Sequence, residues 1–373
     1  MLLIPVATKY KLGWFIWGTK LLFSNKNRGK VIGIDIGMTS VKVLEFSQSG
    51  RSVVAERYGY EPLTPGVIVD HKIKDMEAVG QSIRRAVKKS GSKARRAAVC
   101  VPSGSVISKV LSIPPDVKGD ELESLVEIEA DRIVPYALDE VNMDFIEMGE
   151  SPKSPGEVDI QIVVCRKSVV EDLVEVLDEA SIEPAFVDVD TFTLSRVHAL
   201  VNQGLVGAGA RRTSAIIDFG SNASRFMVFH NNVLIYNRDT PFGGRQLIDS
   251  INQKYGMPHD EAMIALRKSD LPQSFKTDVL KPYVKSLVQE VLRSMQFFYS
   301  SSTHNSINEL QITGGCAQIG NVEKIIEKRI EIPTAILNPF ASIRMGSKID
   351  KEQIRKDIPS LAVAAGLALR GLE

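Results

Sequence analysis

Val31–Phe46 reads VIGIDIGMTSVKVLEF. An apolar run ends in aspartate and glycine, a short polar turn follows, and an alternating strand leads back out: the pattern of a hairpin. Ala215–Phe229, AIIDFGSNASRFMVF, repeats it without a gap. Asp35 falls on Asp218, Gly37 on Gly220 and Lys42 on Arg225, and each basic residue follows its aspartate by seven positions. A single Asp-x-Gly is an ordinary turn. Two copies in matched context, 183 residues apart, imply two domains of similar plan.

Such a turn is suited to phosphate. Glycine lets the chain reverse and brings backbone N–H groups close to an anion. Met38, Thr39 and Ser40 follow Gly37, and Ser221 and Asn222 follow Gly220, each with N–H, hydroxyl or amide donors. An aspartate would repel phosphate, but it can hold a Mg²⁺ that bridges phosphates through water. Asp35 and Asp218 are therefore the candidate metal-holding and catalytic carboxylates, facing each other across one polyphosphate. Lys42 reads equally as a phosphate contact or a solvated strand lysine. Arg225 is expected to be its solvated counterpart.

Two further glycine motifs join the set. Glu309–Ile326, ELQITGGCAQIGNVEKII, is a strand, a turn and a helix. Gly314 and Gly315 leave room for a flat base or ribose, with Cys316 beside them and a helix N-terminus following. Pro241–Ile251, PFGGRQLIDSI, places Gly243 and Gly244 before a helix. Walker A, G-x-x-x-x-G-K-[ST], does not occur, which excludes a P-loop enzyme. Asp190, in VDVDTF, is expected to cap a helix over 191–200, a place in the cleft being the alternative. Lys254 and Glu261 are expected as exposed helix charges, with adenosine contact as their alternative.

The 373 residues suit two ordinary domains, and 44% apolar with 24% charged residues is a globular composition. With 46 basic and 45 acidic residues, no global field draws the chain to nucleic acid. Cys100, Cys165 and Cys316 are odd in number and widely spaced, which points to a reducing compartment. The first thirty residues differ: six basic residues, no acid, and both tryptophans, Trp14 and Trp17, in LGWFIWGTKLLF. That run is too short to span a bilayer but suits an anionic membrane surface; a tail without such a role is the alternative.

The ordered set IDIG, IIDFG and ITGG resembles the phosphate 1, phosphate 2 and adenosine motifs of the actin–Hsp70–sugar kinase superfamily. Four longer strings narrow this: EIEADRIVPYALDEVNMDF (Glu127–Phe145), FGGRQLIDSI, SMQFFYSS (Ser294–Ser301) and the ending LAVAAGLALRGLE. They resemble the PilM family, actin-like (FtsA-like) cytoplasmic proteins of type IV pilus assembly, from about Val31 to the C-terminus. The resemblance implies an α/β, actin-like ATPase (Hsp70/FtsA) two-domain fold with an inserted 1C-type α+β subdomain. It divides the chain into an N-terminal extension (1–29), subdomain 1A (30–103), 1C (104–187), a return to 1A (188–212), 2A (213–244), 2B (245–308), and 2A with a C-terminal hinge helix (309–373). Residues 106–190 read as strand, helix, two strands, helix, strand.

The function so implied is an ATP- and Mg²⁺-binding scaffold at the inner face of the inner membrane. It would hold the N-terminal peptide of PilN in a groove between 1A and 1C, near Val106–Pro114 and Leu122–Val134, and meet other pilus assembly proteins. No nucleic acid is expected; an oligomer and peripheral membrane contact are open. No residue is spaced as an extra catalytic base, so at most slow ATP hydrolysis is expected. The alternatives are an FtsA-like membrane-associated ATPase or filament protein outside pilus assembly and, remotely, a sugar kinase.

Overall fold

The structure, a computed structural model, describes residues 29–50, 52–151, 153–202 and 212–373. The expected basic, aromatic extension therefore lies, apart from Gly29, outside the described residues.

The first half runs β1 (Val31–Ile36), β2 (Ser40–Ser49), β3 (Ser52–Pro62), a small hairpin β4 (Ile68–Val69) and β5 (Lys72–Ile73), α1 (Met76–Ser90) and β6 (Arg96–Val101). It continues with β7 (Val106–Ile113), α2 (Asp120–Ile133), β8 (Val141–Glu150), β9 (Val158–Arg166), α3 (Lys167–Glu179), β10 (Glu183–Val189) and α4 (Asp190–Val201). The second half holds β11 (Thr213–Phe219), β12 (Ser224–His230), β13 (Val233–Thr240), α5 (Gly244–Tyr255), α6 (His259–Lys268), α7 (Lys281–Ser301) and β14 (Glu309–Gly314). It closes with α8 (Val322–Ile330), β15 (Thr334–Ile336), β16 (Arg344–Met345), α9 (Lys351–Asp357) and α10 (Ala362–Arg370).

The two large sheets share one plan. The first is ordered β10-β6-β1-β2-β3-β16 and the second β13-β12-β11-β14-β15. In each, the repeated motif forms the first two strands of an antiparallel meander, and its first strand pairs in parallel with a later one. Parallel pairing needs a crossover, which helices supply in both halves. The C-terminal ends of the parallel strands thus put Asp35 and Asp218 at matching places, where ligands bind on open α/β sheets.

A third sheet, ordered β7-β9-β8, belongs to the inserted unit, with α2 packed over Ile113, Ile160, Ile162 and Val164. This differs from the sequence reading, which gave that unit a second helix and a fourth strand. Here α3 packs against α1, and β10 pairs in parallel with β6. The reason is burial: Val170, Leu173, Val176 and Leu177 of α3 join the core of the first domain. Amphipathic periodicity shows that a helix has an apolar face, not which sheet will cover it.

The domains share a core as well as a cleft. Leu44 and Phe46 of β2, Ile216 of β11, and Met227 and Phe229 of β12 pack with α4 and α10 in one buried cluster. The alanines of α10 allow a close approach. A Cβ on Gly366 would lie 2.2 Å from the Thr193 carbonyl oxygen of α4, a backbone atom that cannot swing aside. Gly366→Ala should therefore cost about 1–3 kcal/mol of stability, read as a lower urea midpoint; an unchanged midpoint would mean that α10 is free to shift.

Candidate functional site

The seven-residue spacing becomes a cross-strand pair in both hairpins. Asp35 lies opposite Lys42, and Asp218 opposite Arg225. Both turns close in the same way: Gly37 N donates to Ser40 O at 3.0 Å, and Gly220 N to Ala223 O at 3.0 Å. Among the described residues, the N–H groups of Met38, Thr39, Ser221 and Asn222 donate to no protein acceptor. Each turn thus keeps two adjacent backbone donors, the composition of an anion nest.

The paired residues then diverge. Lys42 Nζ sits 2.9 Å from its cross-strand partner Asp35. Burial works against its charge, but Asp35 outweighs that and holds the lysine above its ordinary pKa. Arg225 makes no hydrogen bond or close ion pair with Asp218. It makes a fork with Asp239 (2.8 and 3.1 Å) and reaches Asp190 at 2.7 Å. The expectation of a solvated Arg225 is thus corrected: the side chain is buried in a three-member ion cluster. Asp190 is corrected too. It is the first residue of α4 rather than its cap, and its carboxylate accepts from the Ser103 N–H at 3.0 Å and pairs with Arg225.

Asp218 accordingly accepts no hydrogen bond among the described residues. Burial raises its pKa to about 6, Arg225 opposes the rise, and the carboxylates of Asp190 and Asp35 add to it. The two repeat aspartates therefore share one electrostatic environment. Gly314 makes room for the carboxylate: it has φ +92°, and a Cβ there would lie 2.6 Å from Asp218 Oδ1. A magnesium shell is normally completed by waters and phosphate oxygens around one or two carboxylates, and an unpartnered Asp218 within the field of Asp35 fits that donor set. No group of three or more His, Cys, Asp or Glu among the described residues would hold a metal by itself.

The other glycine positions take different places. Gly315 opens on free space. The Gly243 N–H is held by Gln246 Oε1, and that of Gly244 by the Gly220 carbonyl, with Arg245 N on Ser221 O. The Gly244 and Arg245 donors thus buttress the second turn, while the Gly243 donor is taken up at the start of α5. Cys316 lies beneath the same turn; Tyr283 Oη is 3.1 Å from its sulfur and donates to Gly243 O, and burial pushes the thiol up to about 11. Lys254 pairs with Asp278, and Glu261 is exposed.

Bridges that the sequence reading missed cross the cleft. Arg267 of α6 donates to Thr39 O at 2.6 Å, and Asn222 Nδ2 to Asp70 Oδ1 at 3.0 Å. Ser103 Oγ donates to Asp239 Oδ2 at 3.2 Å. Asp70 occupies a tight turn in which it and His71 both have positive φ, so the polar Asp-His pair between Ile68-Val69 and Lys72-Ile73 was the available signal. Arg267 carried none.

The chain matches a family model described as type IV pilus assembly protein PilM over residues 33–372. Among solved structures it is similar to one described as a PilM–PilN type IV pilus biogenesis complex, at 22% identity and a TM-score of 0.77, covering 93% of this chain and 99% of that one. It is also similar to ethanolamine utilization protein EutJ from Carboxydothermus hydrogenoformans, at 14% identity and a TM-score of 0.52, covering 92% and 90%. At such identities the structural likenesses establish the actin-like two-domain fold.

The raised pKa of Asp218 sets a pH dependence. The native carboxyl binds its proton more tightly than an unfolded aspartate, so stability falls as pH rises from about 4 through about 6. Asp218→Asn removes a buried charge that costs on the order of 2–3 kcal/mol at neutral pH. The variant should unfold at higher urea than the parent at pH 8 and at equal urea at pH 4. A gain of equal size at both pH values would contradict the assignment.

Proposed function

The chain belongs to the type IV pilus assembly protein PilM family, and from that premise we propose that it is an ATP-binding scaffold of the pilus inner-membrane platform. The observation that carries the nucleotide reading is the pair of matched turns. Each offers two unengaged backbone N–H groups, one turn from each domain, and the second turn adds the unpartnered carboxylate of Asp218. In this reading Met38 and Thr39 hold phosphate oxygens from one side and Ser221 and Asn222 from the other. Gly314 and Gly315 border the adenosine. Asp218, with Asp35, would hold Mg²⁺, which would supply charge neutralisation to the phosphates. Lys42 stays on Asp35 and offsets its charge near the phosphates.

The second part of the proposal is a peptide site. A cavity of about 240 Å³ lies between the inserted unit and the first domain, lined by Gly104, Ser105, Val106, Val134, Tyr136 and Val169 among others. One wall is stiffened by the Arg166 guanidinium, 3.7 Å from the Tyr136 ring centroid. An apolar cavity of this kind suits the N-terminal peptide of PilN, the partner named for the similar complex. Its lip follows directly on Ser103, which Asp190 and Asp239 hold from the two domains. Closing the cleft on ATP would move that lip, so nucleotide and peptide affinities should be linked, and linkage is reciprocal. No helix among the described residues is long and apolar enough to cross a membrane. We place the protein at the inner face of the membrane through its partner.

Two measurements test this. ATP with Mg²⁺ should bind in calorimetry, Asp218→Ala should weaken it at least tenfold, and turnover should stay below about 1 s⁻¹, the low end for enzymes. A PilN N-terminal peptide should bind with different affinity in the presence and absence of ATP-Mg²⁺. Tyr136→Ala should weaken the peptide, while Ser103→Ala should keep peptide binding but remove its dependence on nucleotide. Equal peptide affinity with and without nucleotide in the parent protein would remove the coupling.

A further inference from the structure

The pole of the first domain opposite the nucleotide cleft is strongly basic. Val31, Arg96 and Glu183 are cross-strand neighbours at the N-terminal ends of the parallel strands β1, β6 and β10, the ends away from Asp35 and Asp190. Residues 84–96, RRAVKKSGSKARR, carry seven cations and no acid over the end of α1 and the lead into β6. Three are neutralised: Arg85 and Lys89 both pair with Glu61, and Arg96 pairs with Glu183. Arg84, Lys88, Lys93 and Arg95 are exposed, and their side chains have no ion-pair or hydrogen-bond partner among the described residues.

Arg84, Lys88 and Arg95 also line one cavity of about 310 Å³, with Val87 and residues 180–182. Arg84 and Lys88 are one helical turn apart, a like-charge pair that repels unless an anion lies between them. Asp178 and Glu179 stand at the nearby end of α3, and neither pairs with these cations. The chain enters the body at this same pole. Lys30 pairs with Glu45, which also accepts from Ser92 of the basic stretch. The residues before it hold Trp14, Trp17 and five further cations without an acid.

We propose that this pole docks on the anionic phospholipid surface of a bilayer, with headgroup phosphates seated among Arg84, Lys88 and Arg95 and the nucleotide cleft facing away. A bilayer uses both halves of the feature. Its phosphates meet the cations of the body, and a bilayer suits the basic, tryptophan-containing composition of residues 1–28. Nucleic acid would leave the apolar run of residues 12–23 without a role.

The test is vesicle sedimentation of the full chain, without nucleotide or peptide, so that its outcome is independent of both. The protein should bind vesicles of phosphatidylcholine with phosphatidylglycerol, bind phosphatidylcholine alone far less, and release at high salt. The variant Arg84→Ser/Lys88→Ser/Arg95→Ser should lose affinity on the order of 100-fold, from about fivefold per cation near an anionic surface. The single variants Lys88→Ser and Arg95→Ser should lose about fivefold each, which keeps the test decisive if the triple variant misfolds. Lys324→Ser/Lys328→Ser/Arg329→Ser, which removes exposed cations from α8 of the other domain, should bind like the parent. The proposal is overturned if the pole variants bind unchanged, if the α8 variant loses as much, or if inorganic phosphate or duplex DNA binds the pole as tightly as the vesicles.

Discussion

Arg225 is the residue on which the arrangement turns. Its guanidinium is shared between Asp239 of the second domain and Asp190 of the first, close to the line where the two halves meet. A planar fork with several fixed donors can satisfy two carboxylates at once, which an ammonium cannot do in the same geometry. Because the fork is engaged there, its own cross-strand neighbour Asp218 is left without a hydrogen bond. The first repeat resolves the same problem in the opposite sense, since Lys42 turns to its neighbour Asp35. Two hairpins of one plan therefore yield one neutralised carboxylate and one open to a cation.

The same cluster ties the cleft to the inserted unit. Asp190 begins α4, the helix packed on α10 between the domains. Ser103 precedes β7, where the inserted unit starts, and it is bonded to both Asp190 and Asp239. A rotation of one domain on the other is constrained on one side by the dense packing of α4 and α10. On the other side are a few polar bridges: Arg267 to Thr39 and Asn222 to Asp70. Packed backbones resist displacement, whereas exposed single hydrogen bonds exchange readily with water. The α4–α10 side is accordingly the stiff one and the cleft mouth the yielding one.

Much of this was legible in the residues. The repeated Asp-x-Gly turns, their common spacing to a basic residue, and the Thr-Gly-Gly strand end led to two matched sheets and to the turns that the structure brings to the cleft. These signals are local: a strand, its turn and the returning strand lie within sixteen residues, so period and turn chemistry specify them. The second helix of the 106–190 stretch was visible for the same reason, from its apolar periodicity. The partner of α3 was not, because an apolar face fits the first domain and the inserted unit equally well on paper.

Arg225 shows where local reasoning ends. Counting back from the Asn231-Asn232 turn without interruption would set Arg238 opposite Arg225, two like charges face to face. A bulge between Val228 and Phe229 shifts the register by one and brings Asp239 there instead. Sequence by itself determined the two hairpins, their glycines and their acids, because those depend on neighbours along the chain. Only the tertiary structure decided which charge each acid meets. The approach of Asp190 and the crossings by Asp70 and Arg267 depend on contacts between segments far apart in the chain, and the bulge in the β12–β13 pairing has no pattern in the residues that announces it.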